Sequence, residues 1–311
     1  MTGRVVVLTG GVGGAKLVLG LAHLIAPEAI TAIVNTGDDF RHLGLAISPD
    51  IDTLLYTLSG KANGAQGWGR EGETWQFMDA LRSLGGEDWF NLGDGDLALH
   101  IERSAALARG ETLSAITRRF GEAWGVRTRM LPMSDDPVAT HLATDIGDLP
   151  FQRYFVEHRC APAVGAIRFD GADGASPAPG VIEAIRDPAT RAILIAPSNP
   201  YLSVDPILAV PGIRRALEAA EAPIVAVSPI VGGKAVKGPT AKLMAELGVA
   251  PTPAAVAAHY AGILDGLLVD ERDATIDLVI PYDRADTLMT TLDDRVRVAH
   301  AALALAERLA R

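Results

Sequence analysis

A run of glycines near the start of the chain carries the clearest chemical signal in the sequence. The loop consists of Gly10, Gly11, Val12, Gly13 and Gly14, with Lys16 two positions further on. It follows the apolar run Val5–Leu8 and precedes a helical pattern, so it predicts a strand, a tight turn and a helix whose backbone N–H groups bind phosphate. Its spacing matches neither the Walker loop nor the dinucleotide fingerprint, whose third glycine position is Lys16 here. A tight turn without a ligand is the structural alternative.

Pairs of acidic residues follow several predicted strands and helices. They are Asp38 with Asp39, Asp50 with Asp52, Asp94 with Asp96, and Asp135 with Asp136. Mg²⁺ binds one or two carboxylates together with substrate phosphates and water, so aspartates beside a phosphate loop suggest metal-assisted phosphoryl chemistry. Each pair also has a structural interpretation, either as a helix cap or as a solvated turn.

Composition excludes several classes of protein. The formal charge of −10 argues against sequence-independent nucleic-acid binding, and the single Cys160 allows no internal disulfide. The seven histidines do not cluster at metal-ligand spacing, and no Gly-x-Ser-x-Gly element of a hydrolase is present. No apolar run is long enough for a membrane span, so we expect a cytoplasmic enzyme without a membrane partner.

The elements that must position these residues alternate along the chain. Predicted strands are Val5–Leu8, Thr31–Val34, Arg127–Leu131, Ala192–Ala196, Ile224–Val227 and Leu267–Asp270. Predicted helices are Lys16–Ile25, Asp50–Ser59, Glu73–Leu84, Ile101–Ala108, Leu113–Trp124, Pro211–Ala220, Thr240–Leu247 and Asp293–Leu309. This order predicts an α/β, Rossmann-like, doubly wound and mostly parallel sheet with a helical insertion. Ligands of such sheets bind at the carboxyl ends of the strands.

Three stretches are less regular. Residues 35–49 and Asn91–Asp96 are rich in turn residues. Two strands are expected within Phe151–Phe169, and a segment rich in Gly, Ala and Pro follows them. We therefore expect one Rossmann-like domain over 1–311, with a small lid-like subdomain at 151–180.

In this order, the loops resemble one family, the 2-phospho-L-lactate transferases of coenzyme F-420 biosynthesis (CofD). The matching segments are Gly10–Lys16, Val34–Asp39, Ile47–Thr57, Gly67–Gly69 with Glu73 and Thr74, Leu92–Asp96, Leu131–Val138, Phe151–Gln152, Ala196–Pro200, Val227–Gly232 and Ala285–Met289. Each motif is weak alone, but the ordered set is specific and covers nearly the whole chain.

The resemblance implies a reaction. A guanosine diphosphate carries a three-carbon acid on its outer phosphate, and the terminal ribityl hydroxyl of 8-hydroxy-5-deazariboflavin (Fo) attacks that phosphorus. GMP leaves, Mg²⁺ is required, and similar proteins are homodimers. The acid could be lactyl, enolpyruvyl or glyceryl, and no single loop residue decides between them.

The resemblance also implies roles for residues. The residues implied in catalysis are Asp39, Asp50 and Asp52, of which Asp39 and Asp50 would hold Mg²⁺. Those for the donor phosphates and nucleotide are Gly10, Gly11, Val12, Gly13, Gly14, Lys16, Ser198, Asn199, Ser228 and Gly232. Those for the deazaflavin are Asp52, Asp94, Asp96 and Asp135.

One position departs from similar proteins, which often carry a basic residue between the aspartates of the Gly-Asp-x-Asp turn. Gly95 stands there in this chain. The contact made by that basic side chain is therefore absent, or another residue such as Arg70 or Arg103 supplies it.

Two other functions compete with the transferase. A nicotinamide dehydrogenase would use Asp38 for a ribose, but the missing third glycine counts against it. A non-catalytic regulator of the YvcK type would bind a nucleotide-sugar or dinucleotide, but its loops differ from the Ser48–Thr53 segment.

Overall fold

Strands and helices alternate along the residues that the computed structural model describes, which are 3–64, 69–236, 238–274 and 278–310. The strands are β1 (Arg4–Thr9), β2 (Ile30–Val34), β3 (Phe40–His42), β4 (Leu45–Ile47), β5 (Arg129–Pro132), β6 (Ala139–Thr144), β7 (Gly147–Pro150), β8 (Val164–Asp170), β9 (Thr190–Ile195), β10 (Ile224–Val227), β11 (Ile230–Val231), β12 (Lys234–Ala235), β13 (Gly266–Asp270) and β14 (Tyr282–Ala285). The α-helices are α1 (Gly11–Leu24), α2 (Pro49–Leu58), α3 (Gln76–Ser83), α4 (Asp94–Ala108), α5 (Leu113–Ala123), α6 (Val181–Arg186), α7 (Asp205–Ala209), α8 (Ile213–Glu218), α9 (Thr240–Glu246), α10 (Pro253–His259) and α11 (Leu292–Leu309).

Seven strands form the central sheet in the order β14-β13-β10-β9-β1-β2-β5. Every neighbouring pair in it is parallel. The chain moves outward from β1 through β2 to β5, then returns to β9 on the other side of β1 and moves outward again. The predicted doubly wound sheet is therefore confirmed, and its switch point lies between β1 and β9.

Alternate residues of β1 enter two separate cores. Val5 and Val7 pack with α1 and α11 on one face of the sheet, whereas Val6 and Leu8 pack with α6 and α8 on the other. All four side chains are buried, because helices cover both faces of a parallel sheet. This burial on both faces explains why β1 is a continuous apolar run, and it fixes where the glycine loop begins.

Two additions extend the sheet. Helices α2 to α5 lie between β2 and β5 in the chain, which confirms the predicted helical insertion. Strands β7, β6 and β8 form a separate antiparallel sheet in that order. Because β6 precedes residue 151, this small sheet extends beyond the 151–180 range, and the lid itself stays a prediction.

Local structure differs from expectation in several places. Residues 40–47 form the hairpin β3–β4, with Leu43 and Gly44 both at positive φ in its turn. Leu43 is an unusual residue for such a turn, so the hairpin has no common sequence signal. Helix α4 begins at Asp94, inside the stretch expected to be a turn. Between residues 151 and 169, a π-helical turn at Arg153–Glu157 replaces one expected strand. Strand β14 was not predicted.

Among the described residues, no helix has both the length and the apolar character that crossing a bilayer requires.

Candidate active site

A cavity of about 670 Å³ opens at the carboxyl ends of β1, β9 and β10. Gly10 follows β1, Ser198 comes shortly after β9, and Ser228 follows β10, and all three line the cavity. The cavity therefore lies at the switch point, where doubly wound sheets bind ligands.

The glycine loop lines one side of the cavity and leads directly into α1. Gly10 is extended, and α1 begins at Gly11, whose φ of +64° favours glycine. A Cβ on Gly13 would lie 2.7 Å from the carbonyl oxygen of Pro197, and one on Gly14 would overlap the Thr9 hydroxyl. The backbone thus approaches its neighbours too closely for side chains. The first turn of α1, where N–H groups lack intrahelical partners, faces the cavity as backbone.

Asp50, in the first turn of α2, anchors this loop. Its Oδ1 accepts a hydrogen bond from the Gly11 N–H at 2.7 Å, and its Oδ2 accepts one from Asn35 Nδ2 at 3.0 Å. On the other side, Ser198 Oγ donates to Gly10 O at 2.7 Å. Burial raises the pKa of Asp50 to about 6. A carboxylate with neutral partners therefore lies directly beside the predicted phosphate loop.

Most of the residues predicted for the donor line the cavity together. These are Gly10, Gly11, Val12, Gly13, Lys16, Ser198, Asn199 and Ser228. Lys16 donates from Nζ to Met289 O at 2.5 Å. Gly14 is buried behind the loop, and Gly232 is exposed near Arg272, so neither is among the lining residues.

Asp38 and Asp39 leave buried carboxylate oxygens without a hydrogen-bond partner among the described residues. The unpaired atoms are Asp38 Oδ1 and Asp39 Oδ1, while Asp39 Oδ2 accepts from Ser48 Oγ at 2.7 Å. Burial raises the pKa of both carboxyls well above the usual range. Asp38 lines the main cavity, whereas Asp39 lines a second cavity of about 350 Å³ that shares Asp38, Phe151 and Gln152 with it.

Asp52 lies two residues beyond Asp50 and is paired with a buried arginine. Both of its carboxylate oxygens accept from Arg103 of α4, whose side chain is 1% exposed. His100 Nδ1 lies 3.7 Å from Asp52 Oδ2, and burial lowers the pKa of His100 to about 4. Asp52 and His100 line the cavity, so this end carries a charge-compensated pair beside a neutral imidazole.

Tyr56 and Asp96 form the next polar contact along the same wall. The Tyr56 hydroxyl donates to Asp96 Oδ1 at 2.6 Å, and both residues line the cavity. Burial raises the pKa of Asp96 to about 6 and that of Tyr56 above its usual range. We call the wall lined by Asp52, Tyr56 and Asp96, with Arg103 buried behind it, the α4 end of the cavity. The wall lined by Gly10–Gly13, Lys16 and Asp50 is the glycine-loop end.

Asp94 and Asp135 contact helix N-termini and are not among the lining residues of the cavity. Asp94 accepts from the N–H groups of Gln76 and Phe77 at 3.1 and 3.0 Å, at the start of α3. Asp135 accepts from the N–H of Ser114 at 2.6 Å, at the start of α5. Neither residue therefore lies where it could make the predicted contact with a deazaflavin in the cavity.

The two arginines considered for the Gly95 position differ. Arg103 is committed to Asp52 and to the carbonyl oxygen of Ala46, at 3.2 Å from the latter. Arg70 instead places its guanidinium beside Gly95. The neighbouring Gly67 and Trp68, part of the resembling segment, lie outside the described residues.

Comparison with known proteins assigns the family. The family model described as "2-phospho-L-lactate transferase CofD" matches residues 5–308. The chain belongs to this family. Its members are phosphotransferases, so the chain is a transferase of coenzyme F-420 biosynthesis, as the loops implied.

Similar members of the CofD family come from Streptomyces and Mycobacterium. A "Phosphoenolpyruvate transferase" of Streptomyces coelicolor is 44% identical over 319 residues, covering 98% of this chain and 99% of the relative. One of Mycobacterium sp. (strain JLS) is 40% identical over 328 residues, covering 97% and 98%. A solved structure from Bacillus halodurans, described as a UPF0052 family member, has a TM-score of 0.62 at 19% identity, covering 97% and 99%. This last likeness shows the fold alone.

Within this CofD-family site, the residues that sequence reasoning missed are positional partners. Asn35 holds Asp50, Tyr56 holds Asp96, and Arg103 holds Asp52. Asn35 and Tyr56 lie inside segments that carried the resemblance, so those segments were a usable signal. No sequence signal indicated the pairing of Arg103 with Asp52, because the two residues are 51 positions apart.

Proposed function

We propose that the chain transfers a phosphoenolpyruvyl group from a guanosine diphosphate donor to the ribityl hydroxyl of Fo and releases GMP. The observation that carries this proposal is the cavity itself, in which a backbone phosphate loop and a polar side-chain wall face the same space. The relatives named phosphoenolpyruvate transferase support the enolpyruvyl donor over the lactyl and glyceryl ones.

The chain's own groups suit this transfer. The ribityl oxygen forms a bond to the outer phosphorus, and the bond from that phosphorus to the bridging oxygen breaks, so the electron pair leaves with GMP. The N–H groups of the first turn of α1 and the Lys16 ammonium face the diphosphate and stabilise its charge. A carboxylate at the glycine-loop end accepts the hydroxyl proton. Asp38 is placed for this, because it lines the cavity beside the loop and its buried Oδ1 has no hydrogen-bond partner among the described residues.

The same carboxylates fit a magnesium ion. Asp38 and Asp39 each keep a buried oxygen without a partner among the described residues, and Asp50 has only neutral donors. No group of three or more metal-ligating side chains is found in the described ranges, but Mg²⁺ needs few protein ligands when phosphates and water complete its shell. We therefore assign Asp39 and Asp50 as ligands, with Asp38 beside them. The ion would neutralise charge on the diphosphate.

Release of GMP tests the proposal. The purified protein, Fo and Mg²⁺ are mixed in turn with the enolpyruvyl, lactyl and glyceryl donors, and GMP is measured by chromatography. We expect the enolpyruvyl donor to react fastest. Asp50→Asn, which removes a proposed Mg²⁺ ligand, should lower kcat about 100- to 1,000-fold, whereas Asp293→Asn, at an exposed position of α11, should leave it unchanged. Absence of GMP with all three donors would refute the proposal.

A further inference from the structure

The space beside Gly95, rather than its backbone conformation, explains why a glycine stands at this position. It is the second residue of α4, and its φ is not in the left-handed region. A Cβ at this position would overlap Arg70 Nη1 and would lie 2.6 Å from Glu73 Oε1. The missing side chain therefore leaves the space that the Arg70 guanidinium occupies.

Glu73 fixes both sides of this contact. Its Oε1 accepts from Arg70 Nη1 at 3.2 Å, and its Oε2 accepts from the Gly95 N–H at 2.7 Å. The Glu73 side chain is 6% exposed, whereas that of Arg70 is 34% exposed. A buried carboxylate thus holds a guanidinium that is still partly open to its surroundings.

This guanidinium lies at the border of the α4 end. Its chain neighbour Gly69 lines the cavity, and so does Asp96, the residue after Gly95. Along α2, Tyr56 lies six positions beyond Asp50, which places it about 9 Å further along the helix axis. A ribityl chain whose terminal hydroxyl reaches the glycine-loop end would therefore direct its ring toward Tyr56 and Asp96.

We propose that Arg70 is a specificity-determining residue for the acceptor: seated in the space left by Gly95 and held by Glu73, it binds an oxygen of the deazaflavin ring. A guanidinium suits this role because it donates paired N–H groups in one plane to carbonyl or ionised hydroxyl oxygens, and because it stacks on flat rings. This inference rests on the proposed function, since it names the residue that recognises the proposed acceptor.

Steady-state kinetics with each substrate varied in turn tests the role. Arg70→Ala should raise the KM for Fo about tenfold, which corresponds to about 1.4 kcal/mol, and should leave the KM for the donor unchanged. Gly95→Ala should have the same effect on Fo, because its Cβ displaces the guanidinium. Arg109→Ala, at an exposed arginine after α4, is the matched control and should change neither KM.

Relocating the charge separates binding from a structural role. In Arg70→Ala/Gly95→Lys, the lysine projects from α4 into the vacated space, and we expect it to recover most of the affinity for Fo. Failure of this rescue, or an equal rise of the donor and acceptor KM in Arg70→Ala, overturns the assignment.

Calorimetric titration of Fo without donor distinguishes the two proposals. If the wild-type protein does not bind Fo, the proposed function fails. If the wild type binds Fo and Arg70→Ala binds it equally well, the function stands and the role of Arg70 is overturned. We expect binding by the wild type and about tenfold weaker binding by Arg70→Ala.

Discussion

The glycine-loop end and the α4 end of the cavity both carry aspartates, but they hold them differently. At the glycine-loop end, Asp50 accepts from a backbone N–H and an amide, and Asp39, which lines the adjoining second cavity, accepts from a hydroxyl. At the α4 end, Asp52 is bound through both oxygens by the buried Arg103. One end therefore carries carboxylates with neutral partners, and the other carries a carboxylate that is already neutralised.

This difference assigns different ligands to the two ends. Buried carboxylates without a cation have raised pKa values, as Asp38, Asp39 and Asp50 do. A divalent cation would favour their ionised forms, and it would arrive with a phosphate-bearing ligand. The α4 end, where Arg103 already compensates the charge of Asp52, is better suited to an organic ring than to a metal ion. The comparison can be tested at each end.

Removing the cation of the α4 end should have the largest effect. Arg103→Met leaves the buried Asp52 carboxylate unpaired, so we expect the free energy of unfolding to fall by about 3–5 kcal/mol. Urea unfolding followed by circular dichroism measures this change. The double variant Arg103→Met/Asp52→Asn removes the stranded charge and should recover much of the loss. If the free energy of unfolding of Arg103→Met lies within about 1 kcal/mol of the parent value, the ion pair does not stabilise the α4 end.

Adding one methyl group to the glycine loop should lower kcat/KM for the donor and leave the KM for Fo unchanged. A Cβ at Gly13 would lie 2.7 Å from the Pro197 carbonyl oxygen, so Gly13→Ala must displace the loop from β9. Because a displacement near 1 Å can lower rates about 100-fold, we expect kcat/KM for the donor to fall by that order, with the KM for Fo unchanged.

The control for the loop variant is Gly174→Ala, where a Cβ meets open space and φ is not positive. This control should keep full activity. If Gly13→Ala instead raises the KM for Fo and spares the donor, the assignment of the two ends is reversed.

The two ends also differ in how far the sequence predicts them. The glycine loop follows from local spacing, since an apolar strand, a glycine run and a helix are consecutive in the chain. The partners at the α4 end are brought together only by tertiary packing, because Arg103 meets Asp52 from another helix. Asp94 and Asp135 illustrate the same limit. Each contacts the start of a helix that precedes it by about twenty positions, which local pattern does not reveal.

Charge titration at the α4 end should have the smallest effect. Burial raises the pKa of Asp96 from 3.8 to about 6, so its ionised form is disfavoured in the folded state. The protein therefore loses no stability through Asp96 below about pH 4, where this side chain is neutral in both the folded and the unfolded state. The free energy of unfolding falls as the pH rises through about 6, because the buried side chain then ionises. Asp96→Asn stays neutral and keeps an oxygen for the Tyr56 hydroxyl. It should therefore be more stable than the parent by about 1–2 kcal/mol at pH 7.5, after allowance for partial exposure.

Unfolding measured from about pH 3 to about pH 8 in both proteins isolates Asp96, because the other titrating groups are common to both and largely cancel in the difference. The groups that face Asp96 are Tyr56 and Asp52 on α2, together with Glu73 and Arg70 before α3. We expect the advantage of Asp96→Asn to vanish below about pH 4, where both side chains are neutral. A constant advantage across this range would mean that Asp96 does not change charge there, and that the carboxylates of the α4 end are compensated as fully as Asp52 is.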